Sequence, residues 1–188
     1  MRLFLAGVVP DAVKQMLHAQ LEPVRAATPQ ARWLPEDSLH LTLVFLGSVP
    51  DAVALPLQAT FGEVCGRHRA VRLVLGRMET FGPTRAPRVL ATTLAGDVEA
   101  LQSLVSDARG AAESLVPLEA ERPFRPHLTV ARARSAHGDL LLGRCRSALV
   151  RGLQGEFILR EIALMKSETL PGGAVHTPLA RWTLPEQT

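Results

Sequence analysis

A chain of 188 residues can build one well-packed domain, or two small lobes sharing a core. Apolar residues make up 47% and charged residues 21%, the balance of a soluble globular protein, and no apolar run approaches the ~18 residues of a membrane-crossing helix. The 21 Lys+Arg against 18 Asp+Glu leave +3, nearly all of it arginine because Lys14 and Lys166 are the only lysines; this permits nucleic-acid binding without implying a long electrostatic footprint. Cys65 and Cys145 stand far apart with no zinc or redox spacing, so they read as buried thiols in a reducing cytoplasm.

Leu3 to Val9 is an apolar run ended by Pro10, a first strand rather than a signal peptide. From Asp11 to about Ala27 the apolar residues Ala12, Val13, Met16, Leu17 and Leu21 recur at helical spacing. Arg32 to Pro35 reads as a connector, and Leu39 to Leu46 as a strand stopped by Gly47 and Pro50. Asp51 to about Cys65 suits a helix, with Pro56 against it. Strands follow at Val71 to Leu75, extending to Phe81, and at Arg88 to Leu94, with the turn-rich GPTRAP between them. Asp97 to about Leu115 is a further helix. His127 to Ala133 is a strand, Gly138 to Leu149 a short helix or loop, and Glu156 to Lys166 another strand. Pro171-Gly172-Gly173 turns the chain into a last strand. Without a regular βαβ rhythm or a glycine-rich phosphate loop, the pattern favours an α+β fold with antiparallel sheets.

One motif occurs twice. EDSLHLTLVFLG (Glu36 to Gly47) and FRPHLTVAR (Phe124 to Arg132) each embed His-Leu-Thr in apolar sequence, and 127 − 40 = 87 residues separate the copies, close to half the chain. Residues i and i+2 of a strand share a face. His40 and Thr42 therefore project together, as do His127 and Thr129, while Leu41, Leu43 and Phe45, or Leu128 and Val130, anchor the other face. Side by side, the strands bring two imidazoles and two hydroxyls to one cleft. Histidine exchanges protons near neutrality, so a pair can act as base and acid in one step. A phosphodiester suits such a pair, with the hydroxyls on its non-bridging oxygens and no metal required.

Together with the opening RLFLAGVVP and the closing KSETLPGGAVHTPLARW, these segments give a sequence that resembles the 2H phosphoesterases over nearly its whole length, specifically the bacterial and archaeal RNA 2′,3′-cyclic phosphodiesterases long labelled 2′-5′ RNA ligases. The resemblance implies one domain over residues 1–188, made of two lobes with one His-x-Thr motif each. Two antiparallel β-sheets with outer helices would surround a central cleft in pseudo-twofold fashion. It implies hydrolysis of RNA 2′,3′-cyclic phosphate ends, including those of tRNA fragments or nucleotides, to 2′-phosphate by a cytoplasmic monomer without metal or cofactor. Carried over, His127 activates water, His40 protonates the departing 3′-oxygen, Thr42 and Thr129 hold the phosphate, and Arg132 contacts it. Arg132 lies five residues from His127, so a regular strand points it away, and only a bend, a bulge or an early strand end brings it to the cleft. The corresponding residue of the first copy is Phe45 (40 + 5), a core-type side chain. His176 stands where the family usually has Tyr and reads as a packing or surface substitute. His18, His68 and His137 read as solvated, and Trp33, Trp182, Phe4 and Phe124 as core residues. The alternatives are the reverse reaction, 2′-5′ ligation of a 5′-hydroxyl RNA, and a non-catalytic module that captures RNA ends.

Overall fold

The computed structural model describes residues 1–120, 123–170 and 173–186. Among them, nine strands and four α-helices follow in the order β1 (Arg2–Val8), α1 (Asp11–Ala27), β2 (Arg32–Trp33), β3 (His40–Ser48), α2 (Ala54–Arg67), β4 (Val71–Phe81), β5 (Val89–Gly96), α3 (Val98–Glu113), β6 (His127–Arg132), α4 (Leu140–Ala148), β7 (Glu156–Leu159), β8 (Glu161–Leu170) and β9 (Gly173–Thr183). Helices form where apolar residues recur at the helical period. Val13, Leu17, Leu21 and Val24 bury one stripe of α1, and Leu101, Leu104, Val105, Ala108 and Ala112 one stripe of α3. Pro56 does not break α2. It sits in the first turn, where its missing N–H has no helical partner to lose. In α4 the Asp139 side chain caps the start by accepting from the Leu141 N–H at 2.8 Å.

Every strand pairing is antiparallel. Along the sheet the order is β7-β4-β5-β6-β3-β1-β8-β9, with β2 added on β6. The expected two antiparallel sheets appear as two four-stranded halves, β7-β4-β5-β6 and β3-β1-β8-β9, which meet at the pair Leu41↔Leu128. Hydrogen bonding thus runs continuously from one half to the other.

The expected strand from Glu156 to Lys166 is in fact two. Arg160 separates β7, which pairs with β4, from β8, which pairs with β1 in the other half. Strands one residue apart in sequence can stand so far apart in the sheet only because it curls strongly. The two halves touch again at Gly7, where a Cβ would come within 2.9 Å of Leu159 Cδ1. Arg32 and Trp33, read as a connector, form the short β2 against Arg132 and Ala131. The final hairpin joins Leu170 to Gly173, but Pro171 and Gly172 of its expected turn lie outside the described residues.

One continuous apolar core lies under this curl, with Leu3, Leu5, Leu17, Leu41, Leu57, Phe61, Leu73, Leu101 and Leu128 wholly buried. Both cysteines are buried and unpaired, and burial pushes the Cys65 thiol up to about 11. Trp182 packs edge-on against Phe61, in keeping with a core role. His68 is not a solvated residue: it is partly buried, with Nε2 2.9 Å from Asp107. No described helix is long and apolar enough to cross a membrane.

Candidate active site

The two His-Leu-Thr segments occupy the junction between the halves of the sheet. Because Leu41 pairs with Leu128 in antiparallel register, His40 falls across from Thr129 and Thr42 across from His127. The two histidines lie on one diagonal and the two threonines on the other. All four are half-buried, whereas Leu41 and Leu128 beneath them are fully buried.

Each imidazole is held in the same way. His40 Nδ1 lies 2.8 Å from the carbonyl oxygen of Ser38, and His127 Nδ1 lies 2.7 Å from that of Arg125. A carbonyl only accepts, so both rings carry their proton on Nδ1 and both donate it. Nε2 of each ring is left without a protein partner among the described residues. Each ring also rests on a phenylalanine from another strand: Phe4 lies 4.9 Å from His40, tilted by 38°, and Phe81 lies 4.7 Å from His127, tilted by 37°. Phe4 is therefore a core residue with one face in the site. Motif spacing carries no sign of either support, since both come from strands distant in sequence.

Arg132 reaches the cleft because β6 contains a bulge. Opposite β5, Leu90 pairs with Ala131 and Ala91 with Thr129, leaving Val130 without a partner residue. Val130 and Ala131 are both buried, and alternation resumes one residue out of step, so Arg132 emerges on the face of His127 and Thr129. The first copy does the same. Opposite β1, Leu5 pairs with Val44 and Ala6 with Thr42, skipping Leu43. Phe45, expected on the core face, is instead 42% exposed and lines the cleft with Arg132. The bulges are equivalent, since 43 + 87 = 130. They deliver a phenylalanine in one copy and an arginine in the other.

The resulting cleft encloses ≈ 440 Å³, with Phe4, His40, Thr42, Phe45, Arg132 and His176 on its walls. Trp33, read as a core residue, packs against the core with one part and lines this cleft with another. Of the two readings of His176, packing or surface, the structure shows packing. Its ring meets His40 edge-on at 5.1 Å and Phe4 at 5.0 Å, and its Nδ1 is buried without a hydrogen-bond partner among the described residues. Burial, followed by Arg132, holds the His176 pKa below the usual histidine value. Burial and then the neighbouring Arg32 likewise lower that of Arg132.

His40 is held down to about 4. Burial is the main cause, and the positive charges of His176, Arg132 and His127 add to it, while the Ser38 carbonyl opposes both. His40 thus protonates more readily in the unfolded chain. The stability this contributes is complete above the unfolded value near 6.5 and is lost as pH falls through 4. The difference amounts to about 3 kcal/mol. Urea unfolding at pH 7 and pH 4 should accordingly show a smaller acid loss for His40→Gln than for the wild type. Equal losses in the two proteins would refute the buried, neutral state of this ring.

The family of 2′-5′ RNA ligases matches residues 10–170. A Thermus thermophilus protein named RNA 2′,3′-cyclic phosphodiesterase is 30% identical over 98% of this chain and 90% of its own. A Geobacillus stearothermophilus protein of the same name is 32% identical over 69% of this chain, but that match spans only 41% of the relative. The crystal structure of a Thermus thermophilus protein superposes with a TM-score of 0.83 at 26% identity and 100% coverage of both chains. A match of this length, together with a shared fold over both halves, identifies the chain as a member of the 2′-5′ RNA ligase superfamily.

Proposed function

We propose that this protein hydrolyses the 2′,3′-cyclic phosphate at RNA ends to a 2′-phosphate, without a metal, using His40 and His127 as a proton-transfer pair. The observation that carries this reading is the matched state of the two rings: each is fixed through Nδ1 to a backbone carbonyl, which leaves two Nε2 atoms for one substrate. The relatives named RNA 2′,3′-cyclic phosphodiesterase support the choice of substrate.

Water attacks phosphorus in line with the P–O3′ bond. His127 Nε2 takes the water proton as the new P–O bond forms, and His40 Nε2–H gives its proton to O3′ as the old bond breaks. The products are a 2′-phosphomonoester and a free 3′-hydroxyl. Thr42 and Thr129 donate to the non-bridging oxygens, and Arg132 offsets their charge. His40 must enter this step protonated although burial in the cleft disfavours that form. The substrate's own negative charge reverses the disfavour, since it attracts the imidazolium and neutralises Arg132. Both histidines come from one chain, so residues 1–188 work as a single two-lobed domain and a monomer suffices. Buried free thiols fit a cytoplasmic setting.

An RNA oligomer ending in 2′,3′-cyclic phosphate, incubated with the protein in EDTA, should yield the 2′-phosphate at the rate seen without chelator. A 3′-phosphate product, or no product, would overturn the reaction, and inhibition by EDTA would overturn metal independence. Adding excess 5′-hydroxyl RNA tests ligation, which requires a second RNA end to compete with water.

A further inference from the structure

Some arginines elsewhere on this surface sit against carboxylates, among them Arg72 on Glu156, Arg109 on Glu113, Arg160 on Glu186 and Arg181 on Glu161, while others such as Arg67, Arg85 and Arg146 have no carboxylate partner among the described residues. At the cleft, arginines without a carboxylate converge on one another. Arg2, Arg32 and Arg132 all line it, and none of the three has a carboxylate partner among the described residues. Arg32 stands directly across from Arg132 in the β2–β6 pair, a placement in which like charges destabilise a sheet. Their repulsion contributes to the lowered pKa of Arg132. Gly173 makes room for this crowd, since a Cβ there would come within 3.0 Å of Arg32 Nη2. Arg2 lies over the Phe45 ring at 5.1 Å.

The His127 side of the junction is different. There Arg125 lies over Phe81 at 5.0 Å and shares the Glu79 carboxylate with Arg77. On the wall that carries His40, three arginines converge with no carboxylate among the residues that line the cleft. One phosphate between the imidazoles would engage Arg132 and leave Arg2 and Arg32 without a counter-ion, so this wall has charge for a second anion.

In-line displacement sets the direction of the chain. Water approaches from the base, and the departing O3′, with its ribose, lies on the side of the acid, His40. The phosphate on the 5′ side of that ribose is therefore carried toward the unpaired arginines. Resting on the proposed function, we infer that Arg2 and Arg32 form a second phosphate subsite that holds the group 5′ to the terminal ribose. The substrate class is then an end with two phosphates, either an oligoribonucleotide or a 5′-phosphorylated nucleotide, and not a bare nucleoside cyclic phosphate.

The test compares kcat/KM for three substrates: adenosine 2′,3′-cyclic phosphate, the same compound with a 5′-phosphate, and a diadenosine ending in the cyclic phosphate. The wild type should favour one or both two-phosphate substrates by about 10- to 100-fold, the usual worth of charge-assisted hydrogen bonds. Which of the two it favours distinguishes a monoester from a diester in the subsite. Arg2→Gln and Arg32→Gln should each reduce that ratio toward one. A wild type without preference, or variants that lose equally on all three substrates, would overturn the subsite. Turnover of none by the wild type would overturn the proposed reaction instead. Calorimetry with adenosine 2′-phosphate and adenosine 2′,5′-bisphosphate then decides the subsite: tighter bisphosphate binding lost in Arg2→Gln upholds it, and equal affinities refute it.

Discussion

Alanine at His127 or at His40 is expected to lower turnover of a cyclic-phosphate RNA end by about 10²- to 10⁴-fold, the range of general acid–base catalysis. His40→Ala gives up one ring contact with Phe4 and His127→Ala one with Phe81, and neither touches the leucines beneath. Each ring is half-buried, and the leucines that anchor the strands, Leu41 and Leu128, point the other way. Unfolding midpoints should therefore stay close to the wild type, and a variant that folds and keeps full activity would sink the paired-histidine mechanism. The two roles are separable by leaving group. A 4-nitrophenyl phosphodiester departs without a proton, so it should restore much of the rate of His40→Ala and little of that of His127→Ala. Rescue in the opposite sense would exchange acid and base.

Valine at Thr42 or at Thr129 comes next in size. Valine keeps the β-branch that suits a strand and deletes only the hydroxyl. Removing one donor aimed at developing oxyanion charge costs about 10²- to 10³-fold in kcat in well-ordered sites. The loss should fall on kcat more than on KM, because the charge on the non-bridging oxygens is rearranged most as the pentacovalent state forms. Rates within twofold of the wild type in both variants would mean that the hydroxyls serve only the strand.

Much of this site is legible in the residues alone, for a physical reason. Side chains two apart on a strand share a face, so His40 with Thr42 and His127 with Thr129 follow from alternation and need no tertiary information. The parity argument fails at the fifth residue of each copy. A bulge inserts one residue, and nothing in LVF or VAR announces that Leu43 and Val44, or Val130 and Ala131, are buried in succession. The break at Arg160 is hidden likewise, because a strand that changes partner keeps its apolar alternation and needs no glycine or proline. The supports of the rings are unreadable for another reason. Phe4 and Phe81 meet their histidines only through sheet order and curl, which depend on every strand at once.

The matched bulges loosen a link that a plain β-ladder would enforce. In a regular strand, exchanging Phe45 for arginine would drive a charge into the core. Here the extra residue in each strand hands positions 45 and 132 to solvent, and the leucines and valines beneath are indifferent to what stands there. Those two places are thus addresses at which the handedness of the cleft can be rewritten while both His-Leu-Thr copies stay untouched. A protein carrying Phe45→Arg together with Arg132→Phe should fold as this one does, with its positive pole moved to the other strand of the central pair.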